Sequence, residues 1–273
     1  MTSLTSGLES PPVHSSPACF SQQELDAWKR DGYIIVRRLA DERMMDAMRE
    51  EIREALVRLN GPIEYEADVH YPGAPESRDS EGGNTVRRLK QAHSRGFVFT
   101  QWIQHPSIVG RLRDILGPTV ACPLAHHNCI MTKSSRFSSE TGWHQDIRYW
   151  SFIKPELVNV WLALGEESPE NGCLQLIPGT HLQTFSPDRL DPDLFLRPEI
   201  AENKVLIDSA IEAKLDPGDV LFFHCRTFHA AGANLTSQTK HSVVFTYRGG
   251  DNAPLPGSRS ASLPELLISA ESQ

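Results

Sequence analysis

Several things are missing from this chain, and each absence removes a class of protein. No stretch of its 273 residues approaches the ~20 consecutive apolar side chains that a membrane-spanning helix needs. Basic residues are in deficit: 27 Lys plus Arg face 35 Asp plus Glu, for a formal net charge of −8. A general nucleic-acid binder needs a basic surface for phosphates, so that class is excluded as well, whereas a local basic pocket for an anionic substrate is not. Cysteine is scarce. Cys19, Cys122, Cys129, Cys173 and Cys225 are odd in number and show no C-x-x-C pairing, which points to reduced thiols and a cytoplasmic protein rather than a disulfide framework. No repeat of fixed period is present. The opening "MTSLTSGLESPPVHSSPACF" lacks the basic segment and apolar core of a secretory signal, and its Ser, Thr and Pro content predicts a disordered leader over residues 1–20. The final "ESQ" is not a peroxisomal address.

What is present divides into two textures. From Ser21 the chain reads as helical: "SQQE" fits a capping box, and Asp31-Gly32 ends the helix it starts. A short strand "YIIVRRL" follows. A second helix is expected from about Asp41 to Leu59, with Met45, Met48, Ile52, Ala55, Leu56 and Leu59 on one face. Residues 61–84 are rich in Gly, Pro and acids and read as a long loop, and a third helix lies near "PSIVGRLRDILG". After about residue 119 the pattern changes to short β-rich runs, "VNVWLAL", "CLQLIP", "DVLFFH" and "HSVVFTYR", bounded by "ENG", "PGT", "DPGD" and "GAN". Many short strands at regular spacing predict a sandwich or jelly roll rather than alternating βαβ units. The expectation is one domain over 21–273. Helices over about 21–118 pack on a β core of about 119–250, with an insertion at 182–206 and a C-terminal tail at 251–273. Both the 61–84 loop and the insertion are candidates for lids.

The chemistry concentrates at "TGWHQDIRYWSF". With 11 His and 35 acids in the chain, about one His-x-acid triplet arises by accident, so the bare motif is weak. Its setting is stronger. On a strand, residues i and i+2 share a face, so His144 and Asp146 both aim into a barrel. A third ligand is available at His229, in "FFHCRTFHAAGAN". Two histidines and one carboxylate on one face leave cis positions open, the pattern of non-haem Fe(II) oxygenases, while a structural zinc site would close with a fourth protein ligand. His126 and His127 are adjacent, and on a strand at most one of them faces such a pocket.

The segments "WHQDIRYWSF", "VWLALGEESPENGCLQLIPGTH" and "DPGDVLFFHCRTFHAAGAN" resemble the phytanoyl-CoA dioxygenase family in order, spacing and wording. The resemblance covers roughly residues 21–250. It implies a double-stranded β-helix, or jelly roll, and an enzyme that binds Fe(II), takes 2-oxoglutarate as co-substrate and uses O2. Such an enzyme hydroxylates a small organic substrate with release of succinate and CO2. His144, Asp146 and His229 match the family's metal triad. Asp146 stands where halogenases resembling the family carry a small residue, which favours hydroxylation. The arginine that the family places eleven residues after the distal histidine, to hold the co-substrate's far carboxylate, is Lys240 here. A small polar residue often found two after that histidine is Ala231. Arg248 is a poor replacement for the anchor, because eight residues of strand span ~26 Å. By the same resemblance Trp161, Cys129 and Arg87 fall where the family contacts its co-substrate, Arg87 with a possible slip to Arg88. Arg148, Tyr149, Trp150 and Arg226 are candidates for the substrate side.

Two other functions fit part of this pattern. A cupin-like isomerase or lyase would use the same triad without O2 and without an anchor for a distal carboxylate, so Lys240 discriminates. A non-catalytic metal-binding relative is expected to have lost ligands, and none of the three is lost. The expected partner is a small molecule, neither nucleic acid nor membrane.

Overall fold

The computed structural model describes residues 18–268. Ser21 caps the helix Gln22–Asp31, with its hydroxyl and Glu24 bonded reciprocally to the helix start, and Gly32 ends it in the left-handed region at φ 79°. Asp41 caps Glu42–Arg58, which buries Met45, Met48 and Ile52. The one further helix expected is in fact two, Phe97–Ile103 and Pro106–Leu116. Phe97–Ile103 buries four of its seven residues, and two turns are too short to display a readable period. The leader expectation falls mostly outside the described residues. Of residues 18–20, Phe20 is buried, edge-on to Phe222, and its N–H donates to Asp114 at 2.7 Å.

The β core is a jelly roll of two antiparallel sheets. The larger has the order Tyr33–Val36, Val220–His224, Leu157–Ala163, Lys240–Gly249, Asn128–Lys133, Val86–Lys90, Ile63–Tyr65. Val120–Pro123 pairs with the far end of Lys240–Gly249 and with Glu265–Ile268, so the expected C-terminal tail contributes an edge strand. The smaller sheet runs Thr141–His144, His229–Ala231, Leu174–Leu176, Ile211–Glu212. No helix among the described residues is long and apolar enough to cross a membrane.

Alternation along Lys240–Gly249 separates two cores. Val243, Phe245 and Tyr247 pack outward with Met48, Ile52, Phe99 and Trp102 of the helices. Val244 packs inward with Trp161, Phe223, Leu174 and Leu176, between the sheets. The 61–84 segment is less irregular than its composition suggests. Its strand Ile63–Tyr65 pairs with Val86–Lys90 and sets Glu64 opposite Arg88. The 182–206 insertion is likewise packed, with its Leu190, Leu196 and Leu206 in one cluster with Ile177 and Phe228.

His224, at the end of its strand, sits between Trp28 and His181, with ring centroids at 5.9 and 5.3 Å. Its Nδ1 accepts the backbone N–H of Arg226 at 3.1 Å. Burial first, then His181 and Arg226, push its pKa down to about 3. The unfolded chain, with a histidine pKa of ~6.5, therefore binds more protons between those values. The stability from the neutral ring is complete above pH ~6.5 and declines as pH falls toward 3. Urea midpoints measured for metal-free protein across that range should fall with acidification, and less steeply for His224→Gln. Equal slopes for the two proteins would remove His224 from the acid response.

Candidate metal centre and its two cavities

His144 is the last residue of Thr141–His144 and His229 the first of His229–Ala231. The strands are antiparallel neighbours with these residues opposite one another, and the ring centroids are 4.2 Å apart. Gln145 continues the extended backbone before a 3₁₀ turn begins at Asp146, so alternation still turns Asp146 toward His144. Nε2 of His144 lies 3.7 Å from Asp146 Oδ1, and Nε2 of His229 lies 3.7 Å from Asp146 Oδ2. One ligand atom from each of the three residues falls within 4.8 Å of the others.

The surroundings fix which atoms are free. Nδ1 of His144 donates to the Gly142 carbonyl at 2.8 Å, and Nδ1 of His229 to the Thr227 carbonyl at 3.0 Å. A carbonyl can only accept, so each ring keeps its proton on Nδ1 and presents the Nε2 lone pair to the site. Burial pushes His229 down to about 3 and lowers His144 as well, so both rings are neutral near pH 7, as metal ligation requires. Burial works against the charge on Asp146, but His127, through its charge and its hydrogen bond, outweighs it and holds the carboxyl well below the usual range. Asn159 donates to Asp146 Oδ2 at 2.8 Å and accepts from Thr246 Oγ1 at 2.6 Å, while His127 meets Oδ1 at 3.0 Å.

Two cavities meet at this point. One, of 70 Å³, lies inside the barrel against Arg87, Lys133, Thr141, Trp161 and Lys240. The other, of 380 Å³, lies against Arg88, Lys90, His126, Trp150 and Arg259. His144, Asp146, His127 and Arg88 line both.

At the inner end, Lys240 is 7% exposed, and so is not a solvated hairpin residue. Its ammonium donates to Glu167 Oε2 and to the Gly172 carbonyl, each at 2.9 Å. The other Glu167 oxygen accepts from Trp161 Nε1 at 2.9 Å and Ser242 Oγ at 2.6 Å. Lys133 stands directly opposite Lys240 on the adjacent strand. Burial, then Lys240 and Arg87, push its ammonium down to about 7. Arg87 is paired with Glu66 at 3.1 Å and donates to Thr141 Oγ1 at 2.8 Å.

Not every expected residue falls where the sequence suggested. Cys129 lines the wider cavity rather than the inner one. His126 and His127 both line the wider cavity, because they sit in the turn between Val120–Pro123 and Asn128–Lys133, where strand alternation does not apply. Arg226 instead donates to the Gln183 carbonyl. Arg248 is held by Glu265 and lines neither cavity. The sequence reading missed Glu66, Lys133, Asn159 and Glu167. Of these, only Asn159 left a signal, as a polar residue inside the apolar run "VNVWLAL".

The family model described as "Phytanoyl-CoA dioxygenase (PhyH)" matches residues 28–242. The chain belongs to the phytanoyl-CoA dioxygenase family. It is therefore an enzyme of the non-haem dioxygenases that work with Fe(II), 2-oxoglutarate and O2. It is 26% identical to the ectoine dioxygenase of Halomonas elongata over 85% of this chain and 71% of that one. Its fold is that of EctD from S. alaskensis, solved with 2-oxoglutarate and 5-hydroxyectoine (TM-score 0.69, 20% identity, 90% and 83% of the two chains). The epimerase SnoN, solved with Fe3+, alpha ketoglutarate and nogalamycin RO, is similar in fold (TM-score 0.70, 21% identity, 89% and 90%).

In this family member the donor set suits a divalent iron: two neutral imidazoles and one ionised carboxylate, each held by a second hydrogen bond, without a fourth protein ligand in the cluster among the described residues. His144→Ala or His229→Ala should abolish binding of a divalent ion. Asn159→Leu leaves Asp146 and Thr246 each short of a partner, and should weaken the ion's affinity by about ten- to a hundredfold. Calorimetric titration with Co(II) measures both. Unchanged affinity in Asn159→Leu would mean that Asp146 does not need this support.

Proposed function

We propose that the enzyme hydroxylates a small organic substrate, converting 2-oxoglutarate to succinate and CO2, with His144, Asp146 and His229 as the iron ligands. Iron, 2-oxoglutarate and O2 together supply the oxidising equivalents that replace a substrate C–H by C–OH. The observation that carries the reading is that His144 and Asp146 line both a narrow cationic cavity and a wider one, with His229 on the narrow side. The narrow cavity suits the co-substrate and the wider one the substrate. Trp161 forms part of the inner wall and is oriented by its bond to Glu167. A carboxylate at Asp146 occupies the place a halide would need.

The charges of the inner cavity favour an incoming carboxylate. Glu167 offsets Lys240 and Glu66 offsets Arg87, which leaves Lys133 as the inner-cavity cation without an acidic partner among the described residues. Lys240 and Lys133, side by side across two strands, take the place of the family's single arginine. In this reading the distal carboxylate of 2-oxoglutarate meets both ammonium groups, and its arrival favours the protonated form of Lys133.

Anaerobic reconstitution with Fe(II) and 2-oxoglutarate, followed by O2, should release succinate. No consumption of 2-oxoglutarate would end the oxygenase reading in favour of a cupin-like isomerase or lyase. Lys240→Ala should raise KM for 2-oxoglutarate by about ten- to a hundredfold, the value of a charge-assisted contact of about 1.5–3 kcal/mol. Lys240→Arg should retain function. Because Lys133 loses its proton above pH about 7, KM for 2-oxoglutarate should climb as pH rises through that value. Lys133→Met should raise KM throughout and flatten the rise. A pH-independent KM in the wild type would remove Lys133 from the anchor.

A further inference from the structure

The wider cavity carries a charge pattern of its own. Four cationic side chains line it, Arg88, Lys90, Arg148 and Arg259, against one carboxylate besides the metal ligand, Glu64. Arg88 and Lys90 share that carboxylate, at 3.3 and 3.1 Å. Neither Arg148 nor Arg259 has an acidic partner among the described residues. Arg148 lies over the Phe195 ring with its guanidinium carbon 3.9 Å from the centroid, and it donates to the Asp193 carbonyl at 2.9 Å. Its Nε is buried without an acceptor. Arg259 comes from the C-terminal segment and is close enough to His126 to depress that ring's pKa.

A concave site with more cations than counter-charges is unfavourable when empty of anions and selective for them when filled. We propose that the substrate is a small carboxylic acid, its carboxylate held by Arg148 and Arg259 and its body lying along Tyr71 and Trp150 toward the triad. This rests on the oxygenase reading above and adds the substrate class to it. Arginine favours a carboxylate because its planar fork can meet both oxygens at once. The aromatic residues Tyr71, Tyr149 and Trp150 favour a flat or cyclic body over a flexible polar one. Arg148 also sits two residues after Asp146, so a carboxylate bound there keeps the rest of a small molecule within reach of the metal.

The test uses the full-length protein loaded with Zn(II) and 2-oxoglutarate, titrated calorimetrically with cyclic and aromatic monocarboxylic acids and with the matching carboxamides. At least one acid should bind, and at least tenfold more tightly than its amide. Arg148→Gln and Arg259→Gln should each weaken that acid by about ten- to a hundredfold, the value of a charge-assisted contact, while leaving affinity for the amide unchanged. The same acid, given to the Fe(II) enzyme, should raise succinate release and gain one oxygen atom by mass. Acids and amides binding alike, no acid binding, or both arginine variants retaining full affinity for the acid would each overturn the proposal. Discrimination in the titration without succinate release would leave the anion site standing and sink the oxygenase reading, so the two failures are distinguishable.

Discussion

A lysine ammonium buried beside the inner cavity has to be neutralised where it stands, and Glu167 is the group that does so. Two ions taken out of water together lose several kcal/mol of hydration each, so such a pair persists only when the remaining lone pairs and protons are also satisfied. Here they are: Glu167 accepts from Lys240, Trp161 and Ser242, and Lys240 also donates to Gly172. These bonds tie the start of Lys240–Gly249 to the strand Leu157–Ala163 and to the turn that follows it. Trp161 is thereby held in orientation at the cavity wall. Under the proposed reading, the same compensation leaves Lys133, opposite Lys240, without an acidic partner among the described residues, and so favours an incoming anion.

The candidate metal triad is supported in the same way, by groups on elements that cannot easily move. Asp146 hangs from Asn159, and Asn159 from Thr246, its opposite neighbour on the next strand. The histidines are oriented by carbonyls two residues before each, Gly142 and Thr227. All of these partners belong to the sheets or to turns pinned beside them. The two cavities can then differ in width and character while sharing His144 and Asp146 as their common wall, with His229 on the inner side alone.

Much of this was readable without coordinates, and the part that was not has a physical explanation. The triad was legible because its spacing obeys strand alternation and because its flanking wording resembles a known family. The inward face of Lys240, Ser242, Val244 and Thr246 follows from the same period of two. The capping box at Ser21 and the Met-rich helix were legible because they are local. Glu167 was not: it is the last residue of "GEE", just before a turn, where no period says which of two adjacent acids points inward. Lys133 carries meaning only through its register opposite Lys240, and register is a property of two strands rather than one. His126 and His127 misled the alternation argument because they occupy a turn. The 61–84 stretch hid a strand because three residues are too few to alternate visibly.

The exchange of the family's arginine for Lys240 changes how a carboxylate can be held, under the proposed reading. A guanidinium fork fixes the plane and direction of its partner, whereas an ammonium attracts without orienting. Lys240 already commits hydrogen bonds to Glu167 and Gly172, which limits further what it can direct at a ligand. Lys133, with one longer bond of 3.3 Å to the Ser139 carbonyl, is less committed. Two point charges set across adjacent strands can neutralise a carboxylate without defining its tilt. Orientation must then come from the other end of the co-substrate, at the metal, and from the walls. An inner cavity of only 70 Å³ against 380 Å³ outside supplies those walls. Loss of the fork is therefore tolerable in this barrel because its interior is narrow, and a wider interior would require the arginine.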